Sequence, residues 1–133
     1  MANCINSVQG LAQGETATLG VSSRIIRVDD ACIVEVNGRF FLIAAIVFDT
    51  FERVIVIRVT REQAMNLMRN GIRNCPIFFV LPADIQRRAV DLQCVFVVGD
   101  EAFLVFETER SQERLERLFV VRVPLCAVVG REC

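Results

Sequence analysis

One stretch of this chain occurs twice, and that repeat constrains the fold more than any other feature. Val28-Asp29-Asp30-Ala31-Cys32-Ile33-Val34-Glu35-Val36-Asn37-Gly38-Arg39-Phe40-Phe41-Leu42-Ile43 returns without a gap as Val90-Asp91-Leu92-Gln93-Cys94-Val95-Phe96-Val97-Val98-Gly99-Asp100-Glu101-Ala102-Phe103-Leu104-Val105. The Val-Asp-x-x-Cys head, the two-residue turn and the Phe-Leu-aliphatic tail all coincide. Further on, Ile57-Arg58-Val59 is echoed by Val121-Arg122-Val123, after two extra residues in the second copy. Chance likeness between β-rich segments is the alternative, but it does not explain a turn kept in register. The repeat predicts a single β-rich domain over residues 1–133, duplicated internally over about 24–60 and 86–124.

Each copy reads as a β-hairpin. Asn37-Gly38 between β-rich runs is the strongest short hairpin signal, because a type I′ turn needs positive φ at both central residues. Gly99-Asp100 suits a type II′ turn, with glycine first. The flanking runs are rich in Val, Ile and Phe, which fit a pleated surface. The first copy continues through Phe40–Phe48 to a turn near Asp49-Thr50 and a strand over Arg53–Val59. Both faces of that last strand are largely apolar, so burial on two sides is expected. The second copy carries a longer charged connection, Glu107 to Arg117, and ends in Leu118–Val123.

Thr60-Arg61-Glu62-Gln63 forms a capping box, and Ala64, Leu67, Met68 and Ile72 follow at helical spacing, with Gly71 as the stop. A shorter helix is expected over Ser111–Leu118, a strand over Ile77–Leu81, and an edge strand over Thr16–Val21. The whole is a mainly β protein of about ten short strands, a sandwich or a barrel built from two duplicated hairpin units with one connecting helix.

Composition narrows the function. The hydrophobic fraction is 53% and the charged fraction 23%, which excludes disordered, collagenous and low-complexity classes. A formal net charge of −1 gives no basic excess for nucleic acid or an anionic membrane. There is no His, so the commonest general base and metal ligand are missing. The longest apolar run, Phe40–Phe48, is far below the ~18 residues that span a bilayer. The N-terminus, Met1-Ala2-Asn3-Cys4-Ile5-Asn6, has neither positive charge nor an apolar segment, so synthesis in a cytoplasm without a signal peptide is expected.

The six cysteines are Cys4, Cys32, Cys75, Cys94, Cys126 and Cys133. None forms a C-x-x-C pair, so no metal site is expected. Cys32 and Cys94 are equivalent in the two copies and read as small buried hydrophobes, or as a pair bridged across the pseudo-symmetry. Cys4 and Cys133 lie at the ends, where a neighbouring chain can be reached, and are candidates for an intermolecular disulfide; idle thiols in a reducing cytosol are the alternative. Asp29, Asp30 and Asp91 read as capping or turn groups rather than acid–base catalysts. Alternating charges over Glu107–Arg117 read as a solvated face or a polar partner surface. The glycines form no phosphate-binding pattern and no nucleophile–base pair is visible, so neither catalytic residues nor a cofactor are expected.

Arg27-Val28-Asp29-Asp30-Ala31-Cys32-Ile33-Val34-Glu35-Val36 resembles a segment of the spore coat Y/Z and exosporium proteins of Bacillus relatives. Val90-Asp91-Leu92-Gln93-Cys94-Val95-Phe96 resembles a later segment of the same family, in the same order. The resemblance implies a cysteine-bearing β protein that assembles into a disulfide-reinforced spore layer, and it carries over Cys32 and Cys94 by position. The chain departs from that family in having fewer cysteines, no closely spaced pairs and no long N-terminal region. The expected function is a non-enzymatic structural subunit whose partner is itself, in a homopolymer at a spore surface or in a filament. Two general arguments support this. An apolar β domain leaves edges and surface that invite pairing, and all fifteen basic residues are Arg, which favours bidentate ion pairs. The alternative is a β-barrel module that binds a small apolar ligand or a protein partner.

Overall fold

The computed structural model describes Cys4 and residues 25–49, 51–80, 90–108 and 118–130. The chain divides into two compact units, one spanning Cys4–Asn74 and the other running on from Cys75. Each unit holds one copy of the repeat.

In the first unit, β1 (Ile25–Val36), β2 (Arg39–Phe48) and β3 (Glu52–Val59) form an antiparallel meander. Helix α1 (Arg61–Arg69) follows, and β4 (Arg73–Asn74) returns parallel to β1, giving the order β3-β2-β1-β4. The hairpin closes at Asn37 and Gly38, with φ of 51° and 78°, a conformation asparagine and glycine tolerate best. The centre of β2 is buried from Ile43 to Ile46, and Val54–Val56 of β3 beside it. These strands are therefore covered on both faces, as their two-sided apolar pattern predicts.

The helix starts where its cap places it. Thr60 Oγ1 accepts from the Gln63 amide at 3.1 Å, and the Thr60 amide donates to Gln63 Oε1 at 2.9 Å. Ala64 is fully buried, and packs with Ile33 and Phe40 beneath half-buried Leu67 and Met68. A small residue at Ala64 lets the helix backbone approach the sheet. Toward the other end of β2, Ala44, Ile46, Phe48 and Ile55 form a second cluster, and Phe48 stacks on Phe51 at 4.5 Å.

In the second unit, β5 (Ile77–Phe78) pairs parallel with the last strand, and β6 (Val90–Val98), β7 (Glu101–Thr108) and β8 (Leu118–Pro124) form a second meander. The order is β5-β8-β7-β6, and α2 (Leu125–Val128) ends the described chain. Phe103, Val105, Leu118 and Val120 have no exposure. Phe96 stacks on Phe103 at 5.0 Å and Phe106 on Phe119 at 5.4 Å. Cross-strand aromatic pairs of this kind add ~0.2–1 kcal/mol each relative to a pair of alanines.

The two meanders share a register. Val36 faces Arg39 across the first turn and Val98 faces Glu101 across the second. The match continues rung by rung to Cys32 opposite Ile43 and Cys94 opposite Val105. It extends to the third strands, where Phe41 faces Arg58 and Phe103 faces Arg122. The ladders diverge at their far ends, where the second hairpin shifts between Leu92 and Cys94 and the first between Val28 and Asp30.

The mainly β class is what the chain adopts, with eight strands among the described residues in two separate four-stranded sheets. The strand expected over Ile77–Leu81 stops at Phe78, because only Ile77 and Phe78 find partners on β8; Phe79 and Val80 are bends. Leu118 opens β8 rather than closing a helix. The rest of the Ser111–Leu118 segment and Thr16–Val21 lie outside the described residues. The short strand β4 and the helix α2 were not expected from the sequence.

Candidate functional site

Cys32 and Cys94 occupy equivalent rungs and are both buried. Burial is as expected of small hydrophobes in strands, but neither is a free thiol. Cys4, Cys32, Cys75, Cys94 and Cys126 are all disulfide-bonded, and no described cysteine is free. The structure is of one chain, so these bonds close within it. Cys4, a candidate for an intermolecular bond, is among the bonded cysteines. Cys133 lies outside the described residues.

The repeat's carboxylates hold strands together. Asp30 accepts from the Arg73 guanidinium at 2.6 Å and from the Ala31 amide at 2.9 Å, which braces β4 against β1. Asp29 lies 3.6 Å from Arg27, and Asp91 is exposed on β6. In the second unit, Arg122 donates Nε–H and Nη2–H to the two carboxylate oxygens of Glu101. Its guanidinium also lies 5.4 Å from the centre of the Phe103 ring. The Arg122 hydrogen bonds hold the Glu101 carboxyl below its ordinary range, and Glu101 in turn holds Arg122 above its own. These are structural pairs, and none places an acid–base couple in a cleft.

Sheet edges are the conspicuous surface. The two short strands each cover part of one edge: β4 lies along β1 at Cys32 and Ile33, and β5 along β8 at Val120 and Val121. The outer edges of β6 and β3 have no partner strand among the described residues. On β6 the bulge-free run Cys94-Val95-Phe96-Val97-Val98 is uncharged, and Leu92 and Val97 are 40% and 49% exposed. Comparison with protein-family models, curated proteins and solved structures found no match. The site must therefore be read from its own chemistry.

A cleft of about 380 Å³ opens beside the first turn, lined by Arg39, Arg58 and Arg61 around Phe40 and Val59. Sequence reasoning did not single out these arginines, nor the Glu101–Arg122 pair. The signal was present in the repeat, which aligns Arg39 with Glu101 and Arg58 with Arg122. Among the described residues no group of three His, Cys, Asp or Glu is placed to hold a metal, and no helix is long and apolar enough to cross a membrane.

Proposed function

We propose that this chain is a non-enzymatic structural subunit that assembles with copies of itself into an ordered homopolymer, such as a layer at a spore surface or a filament. The observation that carries the reading is the β6 edge, which has no partner strand among the described residues and runs uncharged from Cys94 to Val98 beside exposed Leu92 and Val97. A long, apolar, unprotected edge is a template for pairing with another chain. In the first unit a different edge, that of β3, has no partner strand among the described residues. Pairing of β6 in one chain with β3 in the next joins unlike surfaces, and unlike surfaces allow open, head-to-tail growth. Cysteines closed within each chain reinforce the protomer, and such bonds persist in an oxidising place outside the cell. The resemblance of the two cysteine-bearing segments to spore coat proteins agrees with this reading but does not carry it.

Val97→Lys tests the edge directly. A charge on an edge strand opposes pairing, and an exposed position spares the fold. The parent should sediment as a concentration-dependent series of polymers, while Val97→Lys should run as a folded monomer with unchanged far-UV circular dichroism. A parent that stays monomeric under oxidising conditions at high concentration removes the proposal. The better account is then a module that binds a small apolar ligand or a protein partner.

A further inference from the structure

The two units differ at one equivalent place, and the difference concentrates positive charge. In the second unit Glu101, at the start of β7, is held by both forks of Arg122 on β8. By register, Arg39 at the start of β2 is the counterpart of Glu101, and Arg58 on β3 is the counterpart of Arg122. The first unit thus sets two guanidinium groups where the second sets a closed ion pair. Arg58 faces Phe41, two residues on from Arg39, so the two long side chains are diagonal neighbours on one sheet face. Arg61, the first residue of α1, brings a third.

All three arginines line the same cleft of about 380 Å³, and among the described residues no Asp or Glu lines it. None of the three has an ion-pair partner among the described residues. The capping box occupies the Thr60 and Gln63 amides, so the charge offered to a ligand is that of the side chains. Guanidinium forks match phosphate oxygens two at a time. Three positive charges balance the roughly −2 to −3 of a diphosphate at neutral pH, each phosphate carrying close to −1.5. The volume also falls in the range of small-molecule sites, roughly 300–1,000 Å³.

We propose that the Arg39–Arg58–Arg61 cleft binds a small diphosphate, either free or borne on a nucleotide, in the place that a carboxylate fills in the second unit. This is independent of assembly. The test is calorimetric titration of the full, disulfide-intact chain with inorganic pyrophosphate, and separately with ADP, in low-chloride buffer. Equal affinities assign the free anion; tighter ADP binding assigns the nucleotide's diphosphate. Arg58→Ala should weaken binding at least about tenfold, the loss expected when a charged hydrogen bond is removed. Arg39→Glu rebuilds the second unit's ion pair in the first; it should abolish binding while the thermal midpoint holds or rises. Arg69→Ala, on the last turn of α1 and outside the cleft, should bind as the parent does. The proposal is overturned if chloride at matched ionic strength gives the same heats as pyrophosphate. It is equally overturned if Arg39→Glu, folded by circular dichroism, binds as tightly as the parent.

Discussion

Single residues decide the turns and the charge pairs. Gly38 has φ of 78°, and a Cβ there would meet nothing within 4 Å. A substitution at Gly38 therefore acts through backbone strain alone, and Gly38→Val should destabilise the fold by about 1 kcal/mol or more. Denaturant midpoints of the two proteins measure this. Glu101 keeps its charge to lower pH when folded than when unfolded, because Arg122 holds it. Its contribution is therefore complete above the unfolded value of about 4.3 and is lost as pH falls through the lower folded value. Glu101→Gln should lower stability at neutral pH and flatten the acid limb below about pH 4. If parent and variant lose stability in parallel between neutral pH and pH 3, the ion pair is not what the chain feels. The cysteines were the hardest residues to read. Burial of Cys32 and Cys94 follows from their strand positions, but bonding depends on which sulfurs the whole fold brings together, and no local pattern encodes that.

At the scale of elements, local chemistry was legible and tertiary pairing was not. The two turns and the capping box act over two to four residues, so their residue types announce them. Strands β4 and β5 are two residues each. Two residues show no periodicity, and they are strands only because β1 and β8 lie beside them. The arginine cleft was invisible for a similar reason, since Arg39 and Arg58 become neighbours only once β3 pairs with β2. For α1, Thr60→Ala should cost about 1 kcal/mol through the lost cap. Leu67 is half-buried, so Leu67→Ala should sit at the low end of the range for buried leucines, about 2 kcal/mol. Ala64 is fully buried beside Ile33 and Phe40, and Ala64→Leu should cost about 1–3 kcal/mol by overpacking. Thermal unfolding of the three variants ranks these effects. A neutral Ala64→Leu would show that the helix stands off the sheet.

Each of the two units combines an antiparallel meander with one short parallel strand at an edge. The mainly β class was readable from the sequence, because side-chain alternation and turn residues mark strands and their turns. The capped and open edges were not, because they depend on where two very short strands return. Those edges are the basis of the assembly reading: β4 and β5 shield one side of each sheet, and β6 and β3 have no partner strand among the described residues. Disulfides closed within the chain should make the protomer sensitive to reductant, with a loss of about 2–5 kcal/mol for each essential bond broken. Assembly should therefore fail under reduction through unfolding of the subunit, which circular dichroism separates from a loss of contacts between subunits. The most direct measurement is electron microscopy of the purified, oxidised chain across a concentration series, beside Val97→Lys. The account predicts regular polymers of constant width for the parent and dispersed, folded single particles for the variant. A parent that remains monodisperse and monomeric at the highest concentration, or a Val97→Lys variant that polymerises identically, would contradict it.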